Sequence, residues 1–410
     1  MITWQEAHRS ILDQAKPLPL QIGPISSSSL GAILGDDVLA DIDAPPFDKA
    51  LMDGFALSGD TSAQSDGWPL GDGVYAGGIP GKALEPGYAV PVATGAPIPT
   101  GADRVIPIER TEKINGLLKV KELPGIGDFI ATKGADYKAG DTVLKRGTVL
   151  CPSVAGALAA VGKTALRLIP APTVSVISTG SELVEPNMKP MGGQIRNSNA
   201  SMLLSGIHRA GCLPKYLGIA PDCAKALRNL IAEGITHPVL ILSGGVSVGE
   251  KDLVRATLEE LGVKIIVHGI KLKPGRPFLF GITPSGGLVF GLPGNPTSSL
   301  ANFDLLIHPA LLALRGYRNP GPHFQVARME ESLIVDNNRP TLRPVSVCPT
   351  NFGYIAYDLG AKGSFELGVL TRAYGWLELA PGRVEIQKDE EVRVLVPELS
   401  AVTALLLQTT

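Results

Sequence analysis

The chain has little of what marks a secreted, metal-centred or nucleic-acid-binding protein. Its 410 residues include four cysteines, Cys151, Cys212, Cys223 and Cys348, with no C-x-x-C pair. That excludes an obvious disulfide framework or zinc site and favours idle thiols in a reducing cytoplasm. Six histidines are scattered, and none stands at metal-ligand spacing from another. Thirty-seven basic and 39 acidic residues leave a formal net charge of −2. No general electrostatic affinity for nucleic acid or anionic membrane is expected from that balance. No apolar run approaches the roughly 20 residues of a membrane span. The first residues, Met1-Ile2-Thr3-Trp4-Gln5-Glu6, carry neither the basic nor the apolar region of a secretory signal. The expectation is a cytoplasmic protein with neither nucleic acid nor membrane as partner.

Glycine and proline, by contrast, are abundant, at 48 and 34 residues. They imply many tight turns between short elements. The length implies two to four domains rather than one core. Thr3 and Glu6 form a capping-box pattern ahead of Trp4, Ala7, Ile11 and Ala15 at helical spacing, so a first helix is expected there. From residue 41 to about 131 short apolar runs such as Val90-Pro91-Val92 and Val105-Ile106-Pro107-Ile108 read as a β-rich unit. Helical texture resumes at Pro152–Val161, with Pro152 suited to a first turn. Residues 1–40 and 132–168 are therefore read as one discontinuous domain with the β unit inserted.

Residues 169–318 alternate between strand and helix. Strands are read at Val174–Ile177, Tyr216–Ile219, Val239–Leu242, Val263–Val267 and Leu288–Phe290. Helices are read at Asn199–Ala210, Asp222–Glu233, Asp252–Leu261 and Thr297–Leu314. This is the pattern of a doubly wound, mostly parallel α/β sheet. Residues 322–400 read as strand only, with Val392, Val394 and Val396 alternating with Arg393 and Leu395; a small β-barrel is the natural form.

Ligands of open α/β sheets bind beyond the carboxyl ends of the strands. Four loops fall there. They are Ser178-Thr179-Gly180-Ser181-Glu182, Ala220-Pro221-Asp222, Ser243-Gly244-Gly245-Val246-Ser247-Val248-Gly249 and Leu292-Pro293-Gly294-Asn295-Pro296. The third joins an apolar strand to a helix through glycines, the sequence form of an oxyanion-binding corner. Asp222 and Asp252 also stand at expected helix starts, where N-capping is the alternative to a functional role. Lys271, Lys273 and Arg276 surround Pro274-Gly275, a stiff cationic loop suited to a phosphorylated ligand with a divalent metal.

Six ordered segments together resemble the molybdopterin molybdenumtransferase family, the MoeA type that includes the gephyrin E domain. Ala50–Ala56 is similar to S-x-M-D-G-[YF]-A, and Thr94–Asp103 to T-G-A-x-[IV]-P-x-G-A-D. Ser178–Leu183 matches S-T-G-x-E-L, and Gly244–Asp252 matches G-G-V-S-V-G-x-x-D. Lys273–Pro277 matches K-P-G-[KR]-P, and Leu292–Pro296 is L-P-G-N-P. The resemblance implies an elongated homodimer, with residues 1–40 and 132–168 as the linker and dimerisation domain. It implies insertion of molybdate into adenylated molybdopterin, release of AMP and dependence on Mg²⁺.

Carried over by position, Asp53, Glu182, Asp252 and Lys273 are the implied catalytic residues, with Glu182 and Asp53 toward Mg²⁺. Asp53, Thr94 and Asp136 would come from the partner chain of a composite site. Substrate contacts are implied for Asp222, Gly244, Gly245, Ser247, Gly249, Arg276, Pro293, Gly294, Asn295 and Pro296, and for Arg343 and Ser364 in the last domain. A transient contact with a molybdopterin adenylyltransferase is implied as well. Ala50 stands in place of a usual serine, Arg276 of a common lysine and Lys362 of a frequent glutamine. A molybdopterin adenylyltransferase shares the α/β core and its loops but needs neither flanking unit. A non-catalytic pterin-binding scaffold is the other rival, disfavoured by the carboxylates at 53, 182 and 252.

Overall fold

The computed structural model describes residues 1–26, 29–58, 67–79, 83–246, 253–351 and 353–397. The chain forms two compact units, one of residues 1–35, 147–152 and 165–410, the other of residues 36–146 and 153–164.

The larger unit is built on a six-stranded sheet. Its order is Leu213–Ala220, Thr173–Thr179, Val239–Ser243, Leu288–Leu292, Leu279–Ile282 and Lys264–His268. The first four strands are parallel; the last two join antiparallel. The expectation of a mostly parallel sheet holds for its centre. The strand Leu279–Ile282 was not expected, because its short run follows Pro277 and lacks the helix that marks a parallel crossover. The central strands are fully buried, as a sheet covered on both faces requires.

Thr3 closes the capping box of the helix Trp4–Gln14, with Glu6 N–H donating to its Oγ1 at 3.2 Å and its own N–H reaching Glu6 Oε2 at 2.7 Å. Ahead of it, Ile2–Thr3 pairs in parallel with Ile270–Lys271. The last helical stretch begins at Pro296 and ends at Leu314, but Phe303–Ile307 is a π turn rather than continuous α-helix. Pro309 lacks the N–H that the regular ladder needs. Within that turn Asp304, 3% exposed, pairs with Arg209 and accepts the Trp376 indole N–H at 2.8 Å.

Trp376 belongs to a closed five-stranded barrel of Phe324–Met329, Gly353–Asp358, Thr341–Thr350, Gly375–Leu379 and Glu391–Leu395. One short helix, Leu367–Leu370, interrupts the strand-only reading of this region. Trp376, Leu342 and Leu395 join the same apolar cluster as the sheet and the first helix, so barrel and α/β layers share a core.

In the smaller unit, Gly54–Leu57 runs between Val90–Val92 and Arg104–Pro107, antiparallel to both. The backbones meet so closely that a Cβ on Gly54 would lie 1.9 Å from the Ile106 carbonyl oxygen. A second small sheet joins Thr111–Ile114, Leu117–Val120 and Trp68–Pro69. No helix among the described residues is long and apolar enough to cross a membrane.

Candidate active site

The parallel strands deliver four loops to one end of the sheet. Gly244 and Gly245 take φ of +93° and +68°, where L side chains are strained. The space is closed as well. A Cβ on Gly244 would lie 2.5 Å from the Thr179 carbonyl oxygen, and one on Gly245 2.7 Å from Thr179 Oγ1. The glycine pair therefore lets one loop fold directly onto its neighbour. Ser181 and Asp222 lock two further loops together: the Ser181 N–H donates to Asp222 Oδ2 at 3.2 Å, and the Asp222 N–H to Ser181 Oγ at 3.0 Å.

Asp222 is not the helix cap. The helix starts at Ala224 with Cys223 as its N-cap, because the carboxylate is turned toward Ser181. The Glu182 carboxylate folds back over Gly180, where an added Cβ would lie 2.5 Å from Oε2. These groups line a cleft of about 720 Å³ that also takes in Gly244, Gly245 and Pro293–Pro296.

Asn199 completes the floor of that cleft. Its Nδ2 donates to Ser243 Oγ at 3.0 Å and to the Gly294 carbonyl at 2.8 Å, tying two strand-end loops together. Its buried Oδ1 has no partner among the described residues. Asn197 sets the start of this helix, accepting from the Ala200 N–H at 3.2 Å and donating to Tyr216 Oη at 2.9 Å. Tyr216 in turn donates to Glu185 at 2.8 Å; burial and that carboxylate raise its phenol pKa.

A second cavity of about 440 Å³ adjoins the first, sharing Pro277, Pro293 and Asn295 in its wall. It lies between the α/β layers and the barrel. Lys273, Arg276, Arg339, Arg343 and Lys362 all line it. The Lys273 backbone is stitched to the barrel side, its N–H donating to the Pro340 carbonyl at 2.9 Å and its carbonyl accepting from Leu342 at 2.7 Å. Behind the loop, Asn302 donates to the Gly275 carbonyl at 3.1 Å and fills the space a side chain would need there. Arg343 is engaged by Asp358 through two bonds of 2.6 and 2.7 Å, so it braces the loop near 361. Asn295 donates to Ser364 Oγ at 2.9 Å. In this wall buried Thr297 Oγ1 and both amide atoms of Asn337 lack partners among the described residues.

In the smaller unit, Thr94 grips Asp53 Oδ1 with its N–H at 2.6 Å and its hydroxyl at 2.8 Å. The two bonds hold the Asp53 carboxyl below the usual carboxylate range. Asp136 lies apart from this pair, in a separate hollow with Asp43, Pro45 and Lys49.

The expected residues thus fall into three groups. Glu182, Asp222, Gly244, Gly245, Gly294 and Pro296 share the cleft. Lys273, Arg276, Arg343 and Ser364 share the cationic pocket, and Pro293 and Asn295 belong to both. Asp53 and Thr94 form a pair of their own. Ser247, Gly249 and Asp252 lie outside the described residues. Sequence reasoning missed Asn199, Thr297, Asn337 and Arg339. For Asn199 a signal existed in the polar run Arg196-Asn197-Ser198-Asn199 at a helix start; for Thr297 and Asn337 there was none.

Among the described residues no group of three or more His, Cys, Asp or Glu side chains could cage a metal ion. The donors at the cleft, Glu182 and Asp222 with nearby hydroxyls, are hard oxygens. Such a set fits Mg²⁺, which usually binds through one or two carboxylates plus substrate phosphates.

An open α/β sheet with a polar cleft at its strand ends and a charged pocket beside it defines a small-molecule-binding α/β protein. Two family models match the chain: the MoeA N-terminal region (domain I and II) over residues 2–162, and a probable molybdopterin binding domain over residues 175–313. Molybdopterin molybdenumtransferase 2 of Mycobacterium tuberculosis is 30% identical over 401 residues, covering 95% of this chain and 98% of the relative. The molybdopterin molybdenumtransferase of Staphylococcus aureus is 28% identical over 98% of this chain and 97% of its own length. Among solved structures, a molybdopterin biosynthesis MoeA protein from Pyrococcus horikosii superposes with a TM-score of 0.79 at 32% identity, covering 97% of this chain and 99% of that one. The chain belongs to the molybdopterin molybdenumtransferase, or MoeA, family.

Proposed function

We propose that the strand-end cleft binds adenylated molybdopterin, that the cationic pocket beside it receives molybdate, and that the chain joins the two with release of AMP. It is an enzyme of molybdenum cofactor biosynthesis, a molybdopterin molybdenumtransferase, in keeping with relatives that cover nearly its whole length. The observation that carries the assignment of the two substrates is the shared wall. A cleft lined by carboxylates and glycine-containing loops and a pocket lined by five cations meet at Pro277, Pro293 and Asn295.

The chemical task is to bring two anions together. Lys273 and Arg276 offset the charge of the incoming oxyanion, and Pro274 and Pro277 hold their backbone. Asn295, bonded to Ser364, stands where the two cavities meet and orients groups on both sides. Glu182, with Asp53 of a second copy, would hold Mg²⁺; when bound, the ion neutralises phosphate charge. Thr94 keeps Asp53 ionised for that task. The dithiolene sulfurs of the substrate supply the ligands for molybdenum, so no covalent protein nucleophile is required.

With this reading go a homodimer, a composite site completed by Asp53, Thr94 and Asp136, a cytoplasmic location and transient contact with the adenylyltransferase that supplies the substrate. The family resemblance supports each. The decisive experiment incubates the protein with adenylated molybdopterin, molybdate and Mg²⁺ and measures AMP. Release that requires all three supports the reading; no release above a protein-free control overturns it.

A further inference from the structure

Of the exposed apolar side chains that line the strand-end cleft, two stand out furthest. Phe365 is 71% exposed and Ile195 55%. They come from distant parts of the chain, one from the segment after the barrel strand Gly353–Asp358, the other from the short strand Ile195–Arg196 ahead of the Asn199 helix. A single exposed apolar residue needs no explanation. These two border one cavity whose floor is polar.

The Phe365 segment is also pinned on both sides. Ser364 accepts from the Asn295 side chain at 2.9 Å and from the Thr297 N–H at 3.2 Å. On the other side the Glu366 carboxylate accepts from the Lys362 N–H at 3.2 Å. The ring itself covers Gly363, where a Cβ would lie 2.7 Å from Phe365 Cε1. A pinned segment holding a phenyl ring in water loses apolar burial, and a ligand that covers the ring restores it.

A second observation says what kind of ligand. Both protons of the Asn199 amide are committed to Ser243 and Gly294, so Oδ1 faces as an acceptor with its identity fixed. It is buried in a residue 7% exposed, in the same cavity wall, and has no partner among the described residues. A buried acceptor without a donor carries the cost of its lost hydration. A ligand N–H removes that cost. Apolar faces at the rim and an N–H acceptor in the wall together describe a flat nitrogen heterocycle carrying ring-edge N–H groups.

We propose that Phe365 and Ile195 clamp the faces of a fused nitrogen heterocycle of the substrate while Asn199 Oδ1 accepts a hydrogen bond from its edge. The inference rests on the assignment of this cleft to adenylated molybdopterin. Adenine and pterin share the required chemistry, and the test separates them. Phe365→Ala raises KM for adenylated molybdopterin about tenfold, leaves kcat within about twofold, and Phe365→Tyr restores KM, as loss and return of one ring-stacking contact require.

Phe365→Trp supplies the direct readout. The three native tryptophans are 7, 6 and 2% exposed, so emission of the new exposed indole stands apart from theirs. Its quenching by AMP assigns the clamp to adenine; quenching by 6-hydroxymethylpterin assigns it to the pterin. Quenching by neither, or an unchanged KM in Phe365→Ala, overturns the clamp. If the wild-type chain meanwhile still releases AMP, the proposed function stands without it.

Discussion

The two cavities share a wall and differ in how their charges are held. In the strand-end cleft the acidic groups come from the strand-end loops alone, Asp222 held by Ser181 and Glu182 lying over Gly180. In the cationic pocket the charges come from both layers, Lys273 and Arg276 from the α/β side and Arg339, Arg343 and Lys362 from the barrel side. The first can form as soon as the sheet forms. The second exists only when barrel and sheet are docked, through Trp376 and Asp304 and through the backbone bonds of Lys273. A single α/β domain can therefore offer the acidic side of the cleft, while the barrel region adds Phe365 to its rim and a second, oppositely charged compartment beside it.

The sharpest way to break this comparison is on the acidic side. Glu182 is exposed and makes no buried contact that a glutamine would disturb, so Glu182→Gln should fold normally. Its rate of AMP release at saturating molybdate should fall on the order of a hundredfold if the charge works with the metal. Half-saturation by molybdate should stay as in the wild type; activity within a few-fold of wild type would remove Glu182 from the machinery.

The cationic side predicts a smaller effect of opposite kind. Lys273→Ala should raise the molybdate concentration for half-maximal AMP release about tenfold, the weight of one charge-assisted contact shielded from water. Affinity for the adenylated pterin should change less. An unchanged molybdate dependence would mean the oxyanion sits elsewhere.

Smallest is the bracing pair. Arg343→Lys keeps the charge but cannot reproduce the paired bonds to Asp358. Denaturant melts should show a loss of about 1 kcal/mol, with molybdate half-saturation up about threefold as the loop near 361 loosens. A Lys variant identical to wild type in both assays would assign the pair to the surface.

Much of this arrangement could be read from the chain itself, for local reasons. The glycine pair at 244 and 245, the prolines at 274 and 277 and the capping box at Thr3 act through turn and cap chemistry within a few residues. Alternation of strand and helix carried the parallel centre of the sheet for the same reason. What escaped depends on neighbours far away in sequence. Leu279–Ile282 is an antiparallel strand set between Leu288–Leu292 and Lys264–His268, without a crossover helix to announce it. Asp222 looked like a cap because no sequence rule says that Ser181, 41 residues earlier, will claim it. Asn199, Asn337 and Phe365 are ordinary residues one at a time. Their meaning comes from an unpaired atom or an uncovered ring beside a cavity that several loops build together.

The pairing of Ile2–Thr3 with Ile270–Lys271 carries a consequence for how the chain is made. Ribosomes deliver Ile2–Thr3 before Ile270–Lys271, so the first strand waits while the chain between them is made. Until then Trp4 and Ile11, buried in the finished protein, have no sheet to rest on. The earlier-made segment thus waits for a strand two residues from Lys273, and the cationic loop ends up held between Ile2–Thr3, made before it, and Pro340 and Leu342, made after it.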